Sequence, residues 1–444
     1  MDQLQRQAEK AYILGFPLIF NLEQMQRFTD QGIGNLPPAP FNHFSHGVTQ
    51  ASAADEFVSV NNDTLYSVAQ VDLSNGPVEF SIPPIKNRYY VFQLVDAWTE
   101  NFAYLGQRSL GDAGGKFVLV PPDWNKAVPE KATIIHCPTK LITIVGRWAC
   151  APEELAVVRA LQEQVHLRSL QEDVAGYQWP QISDHQLAFW EKLWQYLQDF
   201  PLSPAFTSFQ PTLESLGLLA KENPFLHLDK SLEETLLTGS VKGLKAIDAC
   251  LVQGNGDMEQ RWQKNYHIFD YNVEFFEVGT VKEKEWLMPH ETPAELMELC
   301  LRRAAAAKGG LWGNHGYEAV YLPIYVDEQN EQLTGTKNYR LTFEQTPPTN
   351  AFWSLTMYSL PDYYLVPNEI DRYSIGDRTP DLLFEGDQLT LYLSQKPPKA
   401  GPINNWLPTP AGDFRPLLRV YLPKDAFFDG SYQLPSIQVS LEEE

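Results

Sequence analysis

Three stretches of this chain carry side chains that could do chemistry, and they lie far apart in sequence. The first is Asn61-Asn62-Asp63-Thr64-Leu65-Tyr66-Ser67, preceded by Asn42-His43-Phe44-Ser45-His46. A histidine with an aspartate suits general acid–base work, His46 as base and Asp63 as the group that orients it. The same two side chains would also serve as two ligands of a divalent cation. The plain alternative is local. Asn62 and Asp63 would then bond the backbone of a turn, and His46 would be a satisfied surface histidine.

The second stretch is Asn87-Arg88-Tyr89-Tyr90, running on to Gln93, Asp96, Trp98 and Asn101. On a strand, Arg88, Tyr90 and Asp96 fall on one face by even spacing, and Gln93 has the opposite parity. Arg88 would grip a carboxylate or phosphate through two parallel bonds. An internal Arg–Asp pair that fixes strand register reads equally well. The third stretch is Trp353-Ser354-Leu355-Thr356-Met357-Tyr358, followed by Arg372, Tyr373, Asp377, Arg378 and Asn405-Trp406. An arginine, an amide and an indole make a ligand-binding set. They also make a buried polar network between loops.

These residues give His46, Asp63 and Asp96 as candidate acid–base groups. Asn62, Arg88, Tyr90, Trp98, Tyr358, Arg378, Asn405 and Trp406 are candidate substrate-binding groups. Arg88 or Arg378 would anchor an anion, and Trp406 would form a pocket wall. The inventory suits hydrolysis, elimination or isomerisation of a small organic molecule. Two other readings stand beside it: a non-catalytic carbohydrate or small-ligand binding protein, and a structural, oligomeric β-sandwich protein.

Other chemistries lack their motifs. The chain has no Gly-x-Ser-x-Gly elbow, no Walker loop and no His-Glu-x-x-His. Gly111-Asp112-Ala113-Gly114-Gly115 reads as a hairpin turn, without the helix a phosphate loop needs. No organic cofactor motif is present, and a divalent metal stays open. The net charge of −22 argues against nucleic acid and anionic membrane surfaces as partners. The four cysteines show no metal-ligand spacing and read as buried free thiols. The apolar run from Ala11 to Phe20 is too short to span a bilayer, and the N-terminus lacks the pattern of a secretory signal. The expectation is a cytoplasmic protein with a small-molecule ligand.

The elements that must position these side chains divide by type. Residues 3–27 begin as a helix that Gly15-Phe16-Pro17 interrupts. Short alternating runs then suggest strands, Val78–Ile82 most plainly, each closed by Pro, Gly or Asn. Helices are expected at Pro152–Gln171, Asp184–Phe200, Leu213–Lys221, Leu232–Leu251 and Pro293–Ala307. Trp190 and Trp194 lie on a stripe that reads as core. Strands return after Gly316. The fold class is mainly β with a helical middle, as two jelly-roll-like β-sandwich domains. The divisions are 1–40 (helix and loop), 41–150 (β), 151–315 (helical) and 316–444 (β).

The same islands resemble a two-part bacterial family known only as domains of unknown function. The N-terminal part resembles domain of unknown function 1254, through Ala11-Tyr12, Gly15-Phe16-Pro17, Phe44, His46, Asn62 to Ser67, Arg88-Tyr89-Tyr90 and Asp96 to Thr99. The C-terminal part resembles domain of unknown function 1214, through Ala351 to Tyr358, Asn368, Arg372 to Arg378, Asn405 to Pro408, Pro410 and Gly412. The resemblance implies paired jelly-roll-like sandwiches, often in homo-oligomers, and no settled activity. Many relatives look exported, whereas this chain shows no signal.

Overall fold

The computed structural model describes residues 3–55, 59–128, 131–171, 176–182, 186–253, 258–399 and 401–440. Asp184, the expected start of a helix, and the acidic Glu442-Glu443-Glu444 lie outside these residues.

Strands form where apolar residues alternate between turn formers. The N-terminal region holds β1 (His43–His46), β2 (Thr64–Asp72), β3 (Val78–Ile82), β4 (Tyr90–Asp96), β5 (Asn101–Gly106), β6 (Gly115–Val120), β7 (Thr133–His136), β8 (Leu141–Ala149) and β9 (His166–Ser169). They make two sheets, ordered β1-β2-β8-β4-β5 and β7-β6-β3-β9. Phe80 and Phe117 of one sheet and Phe92 and Trp148 of the other share one buried core. The strand expected at Val78–Ile82 has those bounds, because Pro83-Pro84 ends it.

The middle is helical. The helices are α1 (Gln3–Gln31), α2 (Gln107–Leu110), α3 (Leu155–Gln162), α4 (Ala188–Asp199), α5 (Gln210–Ser215), α6 (Lys230–Gln253) and α7 (Pro293–Gly310). A short hairpin, β10 (Met258–Glu259) and β11 (Trp262–Gln263), leads out of α6. The long helices share one core around Trp190, which is fully buried, as its stripe suggested.

The C-terminal region holds β12 (Ala319–Pro323), β13 (Tyr339–Phe343), β14 (Thr349–Ser359), β15 (Ser374–Gly376), β16 (Leu389–Ser394), β17 (Trp406–Pro408), β18 (Phe414–Pro423) and β19 (Ile437–Val439). Its sheets run β12-β18-β14-β15 and β17-β16-β13-β19 around a second core.

The balance differs from a mainly β chain. The architecture is mixed, with 29% helix and 27% strand among the described residues, in two sheet regions joined by a helical middle. One cause is α1, which runs unbroken through Gly15-Phe16-Pro17. A proline inside a helix costs about 3 kcal/mol. Burial of Ile13, Leu14, Leu18, Ile19 and Leu22 among the other helices outweighs that cost. Gly15 permits the approach, since a Cβ there would sit 2.6 Å from Leu193 Cδ2. Conversely, residues 152–171 are not one helix. A single turn, Pro152–Glu154, leads into α3, and the chain then leaves as β9 to pair with β3 (Phe80 opposite Leu167). The free edge of β3 offers backbone partners that a continued helix would leave unused.

All four cysteines are free, and Cys137, Cys150 and Cys300 are buried. Among the described residues, no helix is long and apolar enough to cross a membrane.

Candidate functional site

The turn between β4 and β5 is where sheet and helices meet. Asp96 ends one strand and Asn101 starts the next. The Asp96 N–H donates to the Glu100 carbonyl (3.0 Å), and the Thr99 N–H donates to the Asp96 carbonyl (3.1 Å). The Glu100 N–H donates to Asp96 Oδ1 at 2.7 Å. Thr99 sits at φ +71°, a conformation that a β-branched residue avoids. Three remote side chains hold it there. Asn21 of α1 donates to the carbonyls of Asp96 (3.0 Å) and Ala97 (3.1 Å). Thr139 Oγ1 accepts from the Ala97 N–H at 3.0 Å, and the Tyr271 hydroxyl donates to the Thr99 carbonyl at 3.1 Å. Strain maintained this way is a mark of functional sites.

The turn faces a cavity of about 730 Å³. Asp96, Trp98 and Glu100 line it from the turn, and Arg303 lines it from α7. Phe206, Phe275 and several prolines make the remaining wall largely apolar. Asp96, Glu100 and Arg303 are 2%, 3% and 4% exposed, so their charges must be balanced locally. Arg303 Nη2 donates to Glu100 Oε1 at 2.6 Å and to the Tyr271 carbonyl at 2.9 Å. The guanidinium also lies over the Phe206 and Tyr271 rings, 5.0 and 5.1 Å from their centres.

Burial drives the Asp96 carboxyl well above the usual range, and the charge of Glu100 adds to the rise. Burial raises Glu100 too, but Arg303 opposes it by charge and by hydrogen bond. With one cation for two acids, Asp96 is the group pushed further toward its protonated form, while Arg303 favours the ionised form of Glu100. Trp98 Nε1, Glu100 Oε2 and Arg303 Nε are buried without a partner among the described residues.

The polar islands from the two ends of the chain meet elsewhere, at the seam between the two sheet regions. Ser354 donates to Asp63 Oδ2, and Ser374 donates to Asp63 Oδ1 at 3.2 Å. Arg378 Nη2 donates to the Asp63 carbonyl (2.8 Å) while its guanidinium lies 3.8 Å from the centre of the Phe352 ring. Tyr358 donates to the Val60 carbonyl at 2.6 Å and accepts from Arg419 at 2.7 Å. Asn61 donates to the Tyr421 hydroxyl at 2.6 Å, and Asn62 Oδ1 is buried without a partner among the described residues. Asp63, Tyr358 and Arg378 are thus brought together, as a hydrogen-bonded joint.

The remaining candidates are dispersed. His46 Nδ1 lies 2.8 Å from Ser67 Oγ, which also accepts from Trp148 (2.9 Å) and Gln162 (3.2 Å). With its lone pairs engaged, Ser67 donates to His46, so the ring proton sits on Nε2. Burial, with a contribution from His166, lowers His46 to about 4. Arg88 makes a forked pair with Glu154 (2.7 and 3.0 Å), whose carboxyl that hydrogen bond lowers to about 2. Tyr90 donates to the Gly111 carbonyl at 3.1 Å. Asn405 clamps the backbone of Leu383 (2.7 and 2.9 Å) and Thr390 (2.9 Å), and Trp406 donates to the Ser394 carbonyl at 2.9 Å. Among the described residues, no three His, Cys, Asp or Glu side chains gather where they could hold a metal ion.

Of the residues read from sequence, the cavity takes Asp96 and Trp98. Glu100 and Arg303 were missed. Glu100 had a signal, a second carboxylate four residues after Asp96 across a turn. Arg303 had none, since it lies 203 positions from Glu100, beside Arg302 and ahead of a run of alanines.

Comparison with known proteins agrees with this frame. The fold is similar to the VPA0106 protein from Vibrio parahaemolyticus, at TM-score 0.74 and 22% identity over 99% of this chain and 100% of that one. A putative uncharacterized protein from Burkholderia cenocepacia is matched at TM-score 0.45 and 12% identity, over 98% of this chain and 93% of that one. No curated protein matches. Residues 41–169 match the family described as Protein of unknown function (DUF1254), and residues 318–425 match Protein of unknown function (DUF1214). The strained turn and its two carboxyl groups lie within the first match, the Asp63 joint links the first to the second, and the chain carries DUF1254 on its N-terminal side and DUF1214 on its C-terminal side.

Proposed function

We propose that this chain is an enzyme that performs acid–base chemistry on a small organic molecule held in the cavity at the β4–β5 turn. The observation that carries the reading is the pair of buried carboxyl groups, Asp96 and Glu100, in one cavity with a single arginine bonded to one of them. Such a pair sets a proton donor beside a proton acceptor at neutral pH. Asp96 is the acid, Glu100 the base, and Arg303 keeps Glu100 ionised. Isomerisation and elimination proceed through such proton transfers, and hydrolysis does so with a water molecule, activated by the base, forming the new bond as the acid protonates the leaving group. Tight closure of the turn by Asn21, Thr139 and Tyr271 supports the same reading, because acid–base groups must be held to fractions of an ångström. On this view the two sheets of each region form a jelly-roll-like sandwich, which serves to hold the turn rigid.

The test is proton NMR of pooled small alcohols, lactones and hydroxycarbonyl compounds incubated with the protein in heavy water. Conversion of a compound, or its deuterium incorporation, is expected with the wild type. Asp96→Asn and Glu100→Gln should each slow it about a hundredfold or more. If both folded variants convert the compound at the wild-type rate, the assignment is wrong.

A further inference from the structure

The cavity floor also constrains what the molecule is. This step rests on the same cavity as the proposed function, but on its binding chemistry alone. The unpartnered groups are two donors, Trp98 Nε1 and Arg303 Nε, and one acceptor, Glu100 Oε2. All three belong to residues more than nine-tenths buried, at 8%, 4% and 3% exposure. They share one end of the cavity, since Trp98 and Glu100 sit on one turn and Arg303 bonds Glu100. None of the three atoms is open to the cavity as it stands, so a ligand group reaches them only with a small shift of these side chains, and it must then both donate and accept. A carboxylate there would face Glu100, and an ammonium would face Arg303, each at close range in a poorly solvated site. Of the two lysines on the wall, Lys140 is paired with Asp199 and Lys126 lies over the Trp124 ring. Away from the floor, prolines, leucines and phenylalanines make up most of the wall, with Ser74, Asn75, Thr139, Asp199 and Ser203 among them, which favours a largely apolar body.

We infer that the cavity takes a neutral, amphipathic ring compound, with an alcohol or phenol hydroxyl seated on Trp98, Glu100 and Arg303 and the rings against the apolar wall. A free polyol lacks the apolar body, and a plain hydrocarbon leaves the floor unsatisfied.

Isothermal titration of the full chain with naphthol, naphthoate, naphthylmethylammonium, naphthalene and glucose tests this. Naphthol should bind about tenfold more tightly than each of the others. Trp98→Phe keeps a ring but removes the donor. It should weaken naphthol about fivefold and leave naphthalene within about twofold. Asp63→Ala, at a residue outside the cavity, should still bind naphthol, with circular dichroism confirming that both variants are folded. Preference for naphthoate, the ammonium or glucose overturns the inference, as does equal loss of naphthol and naphthalene on Trp98→Phe, or no binding of naphthol. The two proposals fail separately. Naphthol binding without proton chemistry on any compound would remove the enzyme reading alone. Turnover of a charged compound would remove this one alone.

Discussion

Asp96 is a carboxyl group held where a carboxylate is unwelcome, and that has a measurable consequence. An unfolded aspartate ionises near pH 4, whereas the folded group keeps its proton to higher pH. A raised folded value means the group's contribution is full below the unfolded pKa and is lost as pH rises toward the folded one. The loss is about 1.4 kcal/mol per pH unit across that window. Asp96→Asn is nearly isosteric and cannot ionise. Denaturant titrations should show the variant gaining on the wild type as buffers run from about pH 5 to about pH 8. Parallel curves would mean that Asp96 ionises as it does in water. Thr99 gives a second test on the same turn. Its backbone is at φ +71°, and its hydroxyl is buried without a partner among the described residues. Thr99→Gly should therefore stabilise the chain by about 1 kcal/mol despite glycine's larger unfolded entropy. If strain serves the site, the same variant should weaken naphthol binding. A destabilised Thr99→Gly would show that the turn is not strained.

The same turn is held, at the scale of elements, by a helix that the local sequence argues against. Asn21 reaches Asp96 only because α1 continues past Pro17, and α1 continues because α4, α6 and α7 enclose it. Close contact with α6 depends on small residues. A Cβ at Gly239 would lie 2.5 Å from Ala8 Cβ and 2.8 Å from the Ala8 carbonyl carbon. That contact is with backbone, so one helix must move. Gly239→Ala should destabilise by about 1–3 kcal/mol, although alanine is the better helix former. A neutral or stabilising result in thermal melts would show that the helices can part freely. This packing also explains what could be read beforehand. β3 was legible because alternation and a proline pair are local. The run through Pro17, the exit of β9 and the ending of α3 depend on neighbours remote in sequence. Asp96 and Trp98 stood out because they close a strand, and Glu100 was passed over beside them. Arg303 acquires meaning only when α7 packs on the turn.

Across the whole molecule, buried polar groups join the two sheet regions alongside a small apolar cluster in which Tyr89 and Val91 meet Ala319, Phe352 and Tyr421. Arg147 donates to Gln93 (2.7 Å), Asn314 (3.1 Å) and the Trp312 carbonyl (2.6 Å), tying β8 to the segment that leads into β12. Arg419 bonds Thr356 (2.7 Å), Tyr358 (2.7 Å) and the Ser59 carbonyl (3.0 Å) from the other side. Asp63 lies in the same joint, 5% exposed, with one carboxylate oxygen for Ser354 and the other for Ser374. The cavity is built from other residues: the β4–β5 turn, loop residues such as Pro121 and Pro138, the segment from Asp199 to Pro204 at the end of α4, and Arg303 of α7. If the joint is structural, removing Asp63 should cost stability and spare the cavity. Asp63→Ala strands two serine hydroxyls in a buried seam, worth about 1–3 kcal/mol. The denaturation midpoint should fall by that amount while naphthol affinity stays within about twofold of wild type. An unchanged midpoint with lost binding or turnover would instead put Asp63 in the chemistry and make the seam part of the site.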